Sequence, residues 1–272
     1  MTAHDFDQYL RQLGVAELAP ASCPFDPGIA PVELESHLAQ SAHLILSLKI
    51  SMACWMVADP AATRRKLAAA AAAGVATSTG GGPYEVAVAQ GILPAYLDLC
   101  ADLGFDAIEC GSGFTDSGIE PAQAAEMIGQ RNLAFDYELG DKHSGEFDSA
   151  AVSELIDEGH RWLEVGARRL VIEARESASD IGLFDAQGKL DTAHAARLAD
   201  EFGLKRLVFE APTKSSQFAL IEHFGPQVQL GNIPMHELLR VEIYRRGLHS
   251  DAFANPRLRP RRPGTPLEEQ SS

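Results

Sequence analysis

Four glutamates close four apolar, strand-like runs in this chain: Ala107-Ile108-Glu109, Ala134-Phe135-Asp136-Tyr137-Glu138, Leu170-Val171-Ile172-Glu173 and Leu207-Val208-Phe209-Glu210. Each run follows the previous one by about one strand, one helix and two loops. Connections of that length join parallel strands, so the four carboxylates are predicted to gather at one end of one sheet. Carboxylates crowded in this way repel one another, and a divalent cation, a lysine or an arginine relieves them.

The rest of the chain keeps the same beat. Strands are predicted over residues 44–50, 75–78, 105–109, 133–138, 169–173, 205–210 and 228–230. Helices are predicted over 31–40, 60–73, 121–130, 147–165, 192–201, 214–224 and 235–246, with one or two more inside 84–103. An open doubly wound sheet usually carries a GxGxxG phosphate turn, and none is present. The pattern therefore predicts a (β/α)8 TIM barrel, a fold that runs to about 250 residues as one domain. Its first strand is weakly marked, because the only room for it, around residues 21–26, contains proline. We read residues 1–20 as an N-terminal extension, 21–253 as the barrel and 254–272 as a disordered Pro/Arg-rich tail.

A net charge of −15 argues against nucleic acid or an anionic membrane as partner, since both reward a basic surface. No apolar run is long enough to span a bilayer and the chain opens with no signal-peptide pattern, so a cytoplasmic protein is expected. Cys23, Cys54, Cys100 and Cys110 lack zinc spacing and are too sparse for a disulfide framework. Small anionic substrates remain compatible with the charge, if a local pocket is basic. Lys49, Lys142, Arg175, Lys214, Arg245 and Arg246 are the cations that could build one.

Loop sequences then narrow the family. Val171-Ile172-Glu173-Ala174-Arg175-Glu176-Ser177, Ile181-Gly182-Leu183-Phe184-Asp185, Phe209-Glu210-Ala211-Pro212-Thr213-Lys214-Ser215-Ser216-Gln217, Asn232-Ile233 and Arg246-Gly247-Leu248 occur in register. In this order and spacing the chain resembles the phosphosulfolactate synthase family from about residue 26 to 253. The resemblance implies a (β/α)8 barrel that adds sulfite to phosphoenolpyruvate with magnesium, giving (2R)-2-O-phospho-3-sulfolactate for coenzyme M biosynthesis. It also implies phosphoenolpyruvate and sulfite as partners, and a homo-oligomer is expected.

There are departures from the family pattern. Asp26-Pro27-Gly28 stands where the family usually has Asp-Lys-Gly, Asp141-Lys142 replaces a lysine pair, and His249 replaces an arginine. Ser78-Thr79-Gly80-Gly81 and Ser112-Gly113-Phe114 look like the plant heat-stress-associated relatives of the same family. A member adding a different nucleophile and a barrel without catalysis therefore both stay open.

Chemistry assigns the residues. Magnesium prefers hard oxygen donors, which makes Glu138, Glu173, Glu210 and, less centrally, Glu109 the candidate ligands; the plain alternative for each is an ion pair with a barrel lysine. Lys142 is the candidate proton donor to C2, against a solvated loop lysine. Lys49, at the end of a buried strand, is either a substrate ligand or an internal ion-pair partner. Arg175 is the candidate clamp for the substrate carboxylate or sulfite, against a pair with Glu176. Barrels commonly hold phosphate in the loops after their last two strands, so Lys214, Ser215, Gln217, Gly231, Asn232 and Arg246 are the candidate phosphate ligands.

Overall fold

The computed structural model describes residues 6–115 and 118–261. Eight parallel strands close into a barrel in simple sequence order. They are β1 (Ser22–Asp26), β2 (Leu48–Ile50), β3 (Thr77–Thr79), β4 (Ala107–Cys110), β5 (Ala134–Leu139), β6 (Leu170–Ile172), β7 (Leu207–Glu210) and β8 (Leu230–Pro234). The weakly marked first strand lies within residues 21–26, as expected, and pairs with both β2 and β8.

Helices start where the sequence provides start signals. Proline occupies the first turn of Pro31–Ser41, Pro60–Ala72, Leu93–Leu103 and Pro121–Gly129, where its missing N–H costs nothing. Asp59, Asp148, Asp191 and Thr213 accept hydrogen bonds from the first free N–H groups of their helices, which satisfies donors that no helical carbonyl can reach. The apolar faces of the helices that connect the strands pack on the outside of the barrel, with Leu34, Leu97, Ile108, Ile128, Leu139 and Leu170 fully buried between the two layers.

Three expectations change. The strand predicted over residues 44–50 is only Leu48–Ile50, preceded by a 3-10 turn over Ala42–Leu44. Gly81 and Gly82, which precede the helical stretch predicted within residues 84–103, open the helix Gly81–Ala89, and Leu93–Leu103 is the second of the two helices allowed there. The tail expected from residue 254 is ordered against the barrel as far as the description reaches: Leu258 is buried and Arg259 Nε donates to the Phe253 carbonyl at 2.8 Å. Gly247 permits that packing, since a side chain there would meet the Leu258 carbonyl oxygen at 2.1 Å. Arg262 and the residues after it lie outside the described residues. Among the described residues no helix is long and apolar enough to cross a membrane.

Candidate active site

The four strand-end glutamates converge at the C-terminal mouth of the barrel, all of them almost fully buried. Two lysines stand between them. Lys49 Nζ lies 2.7 Å from Glu109 Oε2 and 3.3 Å from Glu210 Oε1. Lys142 Nζ lies 2.6 Å from Glu138 Oε1 and is also bonded to Glu173 Oε2. Each lysine thus bridges two glutamates.

The backbone completes these bonds. Gly81 N donates to Glu109 Oε1 at 3.0 Å, Ala174 N to Glu210 Oε2 at 3.1 Å, and Arg175 N to Glu173 Oε1 at 2.5 Å. Asn232 Nδ2 donates to Glu210 Oε1. Glu109, Glu173 and Glu210 therefore have both oxygens engaged. Lys142 is turned back toward the mouth by Gly140, whose φ of +122° suits glycine and whose missing side chain leaves room for Glu173 and Phe147. The Lys142 N–H donates to the Gly113 carbonyl at 2.8 Å, tying the loop after β5 to the loop after β4.

The local electrostatics follow from burial. Desolvation alone would lower both lysines, but Glu109, Glu210 and Glu138 around Lys49, and Glu138 and Glu173 around Lys142, raise both well above the ordinary lysine value. Both ammonium groups are held charged. Burial also raises Glu109, Glu138, Glu173 and Glu210, and neighbouring carboxylates add to it at each of them, against the pull of the lysines. Acids outnumber bases in this mouth.

The remaining predicted residues divide. Arg175 sits at the exposed rim above the site, its guanidinium donating to the Lys142 carbonyl at 3.2 Å rather than pairing with Glu176. Asn232 belongs to the mouth, and its Oδ1 is buried with no partner among the described residues. Gly231 lies beside it, paired in register with Glu210. Ser215 is on the first turn of the helix Lys214–Phe224, its hydroxyl 3.0 Å from that of Thr213. Lys214 turns away: its ammonium lies 5.1 Å from the Phe218 ring centroid and 3.5 Å from Asp251 Oδ2. Gln217 is fully buried and bonded to the Ala211 carbonyl, Glu237 and Arg240. Arg246 is at the opposite end of the barrel, on Glu242, whose Oε1 accepts from Ser22 at the start of β1. Helix rotation, which loop position does not reveal, turns Lys214 and Gln217 away from the expected phosphate site, and Arg246, at the far end of its helix, is carried to the floor of the barrel.

Two buried groups at this end of the barrel carry no sequence signal that singled them out. Lys66, inside Pro60–Ala72, bonds Asp26 Oδ2 at 2.6 Å, bringing an ammonium to the end of β1, where residue 27 is proline. Glu85, one turn into Gly81–Ala89, is 1 % exposed and accepts from Phe114 N at 2.9 Å. A cavity of about 710 Å³ lies on the barrel's flank among Tyr84, Pro94, Met127, Tyr137 and Trp162. The lysine–glutamate pairs do not line it, so the mouth, where charge converges, is the candidate active site.

Comparison with known proteins identifies the family. The (2R)-phospho-3-sulfolactate synthase (ComA) family model matches residues 11–251. The phosphosulfolactate synthase of Methanocaldococcus jannaschii is 31% identical over 229 residues, covering 84% of this chain and 91% of that protein. That of Methanothermobacter thermautotrophicus is 26% identical over 234 residues, covering 86% and 91%. At the level of fold alone, the carboxyl transferase domain of Rhizobium etli pyruvate carboxylase matches with a TM-score of 0.54 at 11% identity, over 94% of this chain and 46% of that one. With its closed eight-stranded barrel and a family match across nearly its whole length, the chain belongs to the phosphosulfolactate synthase family, lyases that add sulfite to phosphoenolpyruvate.

Proposed function

We propose that this protein adds sulfite to phosphoenolpyruvate at the barrel mouth, giving (2R)-2-O-phospho-3-sulfolactate. The observation that carries the reading is the buried cage of Lys49 and Lys142 between four strand-end glutamates, in a chain of this family. The sulfur lone pair of sulfite forms a bond to C3, the C2–C3 π electrons move onto C2 and the substrate carboxylate, and a proton then reaches C2. Fixed cations stabilise the enediolate, because they face the charge only as it develops. Lys49, held charged at the base of the mouth, faces that carboxylate.

Lys142 delivers the proton. Its two glutamates keep it protonated, and a carbanionic C2 is basic enough to take a proton from an ammonium of high pKa. Arg175, free on its outer side, receives the incoming sulfite from the rim. The phosphate is held by the backbone start of the helix Lys214–Phe224 with Ser215, and by the backbone of the Gly231-Asn232 turn.

The donor chemistry fits magnesium, although among the described residues no three acidic, histidine or cysteine side chains form a ready ligand group. Magnesium is commonly held by one or two carboxylates together with substrate oxygens, so such a group is not required. Of the four expected ligands, Glu109, Glu173 and Glu210 are engaged at both oxygens, which leaves Glu138 as the one to hold it. Bound there, magnesium would stabilise charge on the substrate carboxylate.

The test is direct. Purified protein incubated with phosphoenolpyruvate, sulfite and magnesium is expected to form the phosphosulfonate, detected by mass spectrometry. No product with sulfite, but an adduct with another nucleophile, would move the chain to a different reaction on the same substrate.

A further inference from the structure

Glu85 is the buried acid that the proposed reaction leaves unused. Its Oε2 accepts from Phe114 N, but its Oε1 is buried with no hydrogen-bond partner among the described residues. A buried carboxylate oxygen left without a donor is costly, so such an atom is ordinarily matched by a protein group, a water or an ion. Its surroundings indicate which kind. A side-chain carbon on Gly111 would stand 3.4 Å from Glu85 Oε1 and 3.6 Å from Glu138 Oε1, so both oxygens border the one space this glycine leaves open. One on Gly81 would likewise stand 3.7 Å from both oxygens of Glu138 and from Glu109 Oε1. Among the described residues no ammonium or guanidinium is bonded to Glu85.

We propose that Glu85 and Glu138, converging beside Gly111, are the two protein carboxylates that take a hard divalent cation such as magnesium. The inference rests on the reading of the mouth as a site for phosphoenolpyruvate chemistry, and it adds Glu85 to a set in which three of the expected glutamates are engaged elsewhere. Two carboxylates with the remaining positions filled by water or substrate oxygens is the ordinary way a protein holds this ion. The placement also links the ion to the acid. Lys142 also bonds Glu138, so the ion and the proposed acid share one carboxylate. Through Phe114 and Gly113, Glu85 further fixes the loop to which the Lys142 N–H is bonded.

Manganese(II) binding to the full chain, read by electron paramagnetic resonance with and without phosphoenolpyruvate, tests this without relying on turnover. The parental protein is expected to bind one ion that magnesium displaces. Glu85→Gln, which keeps an acceptor for Phe114 N but removes the charge, is expected to weaken binding at least tenfold. Gly111→Ala is expected to do the same with every carboxylate intact, because its methyl enters the space that both oxygens border. Contacts of 3.4 Å and longer let that variant fold, so it decides the matter if Glu85→Gln does not. Parental affinity in both variants, or no manganese bound by the parental chain in either state, overturns the proposal. Binding that depends on Glu85 in a protein that makes no sulfonate sustains it and sinks the synthase reading instead.

Discussion

The two ends of this barrel are mirror images in charge. At the mouth each buried lysine bridges two glutamates: Lys49 joins Glu109 and Glu210, and Lys142 joins Glu138 and Glu173. At the floor each buried acid is bracketed by two guanidiniums. Asp136 lies 2.9 Å from Arg168 and 2.8 Å from Arg169, and Glu242 lies 3.3 Å from Arg245 Nε and is bonded to Arg246. The floor spends its extra cations on the protein. Arg245 donates to the carbonyls of Val228, Pro226 and Ala21, and Arg169 reaches Ser47, so those strand starts are tied together. Burial pushes Arg245 down to about 10 even with Glu242 beside it, a measure of the desolvation the floor sustains. Among the described residues the mouth leaves an oxygen of the acid Glu85 and one of Asn232 without a hydrogen-bond partner, whereas the orphans at the floor, Arg245 Nε and Gln229 Oε1, include no acid. Saturated charge holds the barrel together; surplus charge awaits a ligand.

The largest expected effect separates charge from proton at Lys142. General acid catalysis is typically worth about 10² to 10⁴ in rate, so Lys142→Ala should lower kcat by that order. Lys142→Arg retains the cation between Glu138 and Glu173 and should restore stability but not turnover, since a guanidinium does not release its proton. Steady-state kinetics with a urea titration of each variant reads both quantities. Parental turnover in Lys142→Arg would remove the lysine from proton transfer.

Next in size is the stability contrast between the two ends. Removing one partner of a buried ion pair costs about 3 to 5 kcal/mol when it strands the other charge. Asp136→Asn strands Arg168 and Arg169 and should show that loss by denaturant unfolding. Glu210→Gln relieves a surplus at the mouth and should cost less, because Lys49 keeps Glu109, the amide oxygen still accepts from Ala174 N, and the amide N–H replacing Oε1 can meet Asn232 Oδ1 once the Asn232 amide turns over. Equal losses in the two variants would break the comparison. A pH arm sharpens it. Burial raises the mouth glutamates above their ordinary 4.5, so the folded chain binds protons more tightly there. That stabilisation is present below 4.5 and is lost as the pH rises through the raised values. Lys142→Ala enlarges the surplus, so its stability relative to the parental protein should be worse at pH 8 than at pH 5.

What the sequence made legible follows from geometry that strands transmit and helices do not. A residue at the end of a parallel strand is at the mouth wherever its strand lies in the ring, so Glu109, Glu138, Glu173 and Glu210 could be placed from their runs alone. Lys49 was legible for the same reason, and Lys142 because it follows Glu138 through a glycine turn. Glu85 and Lys66 were not, since each sits inside a helix where its direction depends on rotation about the axis, at 3.6 residues per turn. The glycines before Glu85 read as a loop, yet Gly81 and Gly82 begin the helix and bring it close to the carboxylates. The first strand was the hardest element to see, and it formed because β1 is held on both sides by parallel neighbours that tolerate its proline.

The smallest expected effects concern Lys214 and Arg246, which loop position alone assigns to phosphate. A lost charge-assisted contact to phosphate costs about 1.5 to 3 kcal/mol, or roughly ten- to a hundredfold in affinity. The structure predicts much less. The Lys214 ammonium is half exposed, over Phe218 and beside Asp251, and exposed pairs of this kind are worth at most about 1 kcal/mol. Arg246 is at the floor, at the opposite end of the barrel from the mouth, and serves Glu242. Calorimetric titration of phosphoenolpyruvate into Lys214→Ala and Arg246→Ala should therefore find affinity within about threefold of the parental value, with Arg246→Ala losing stability instead because Glu242 gives up one of its two cations. A tenfold loss in Lys214→Ala would mean that the side chain swings off Asp251 to meet the phosphate, and the division between a saturated exterior and an unsaturated mouth would have to be redrawn at that helix.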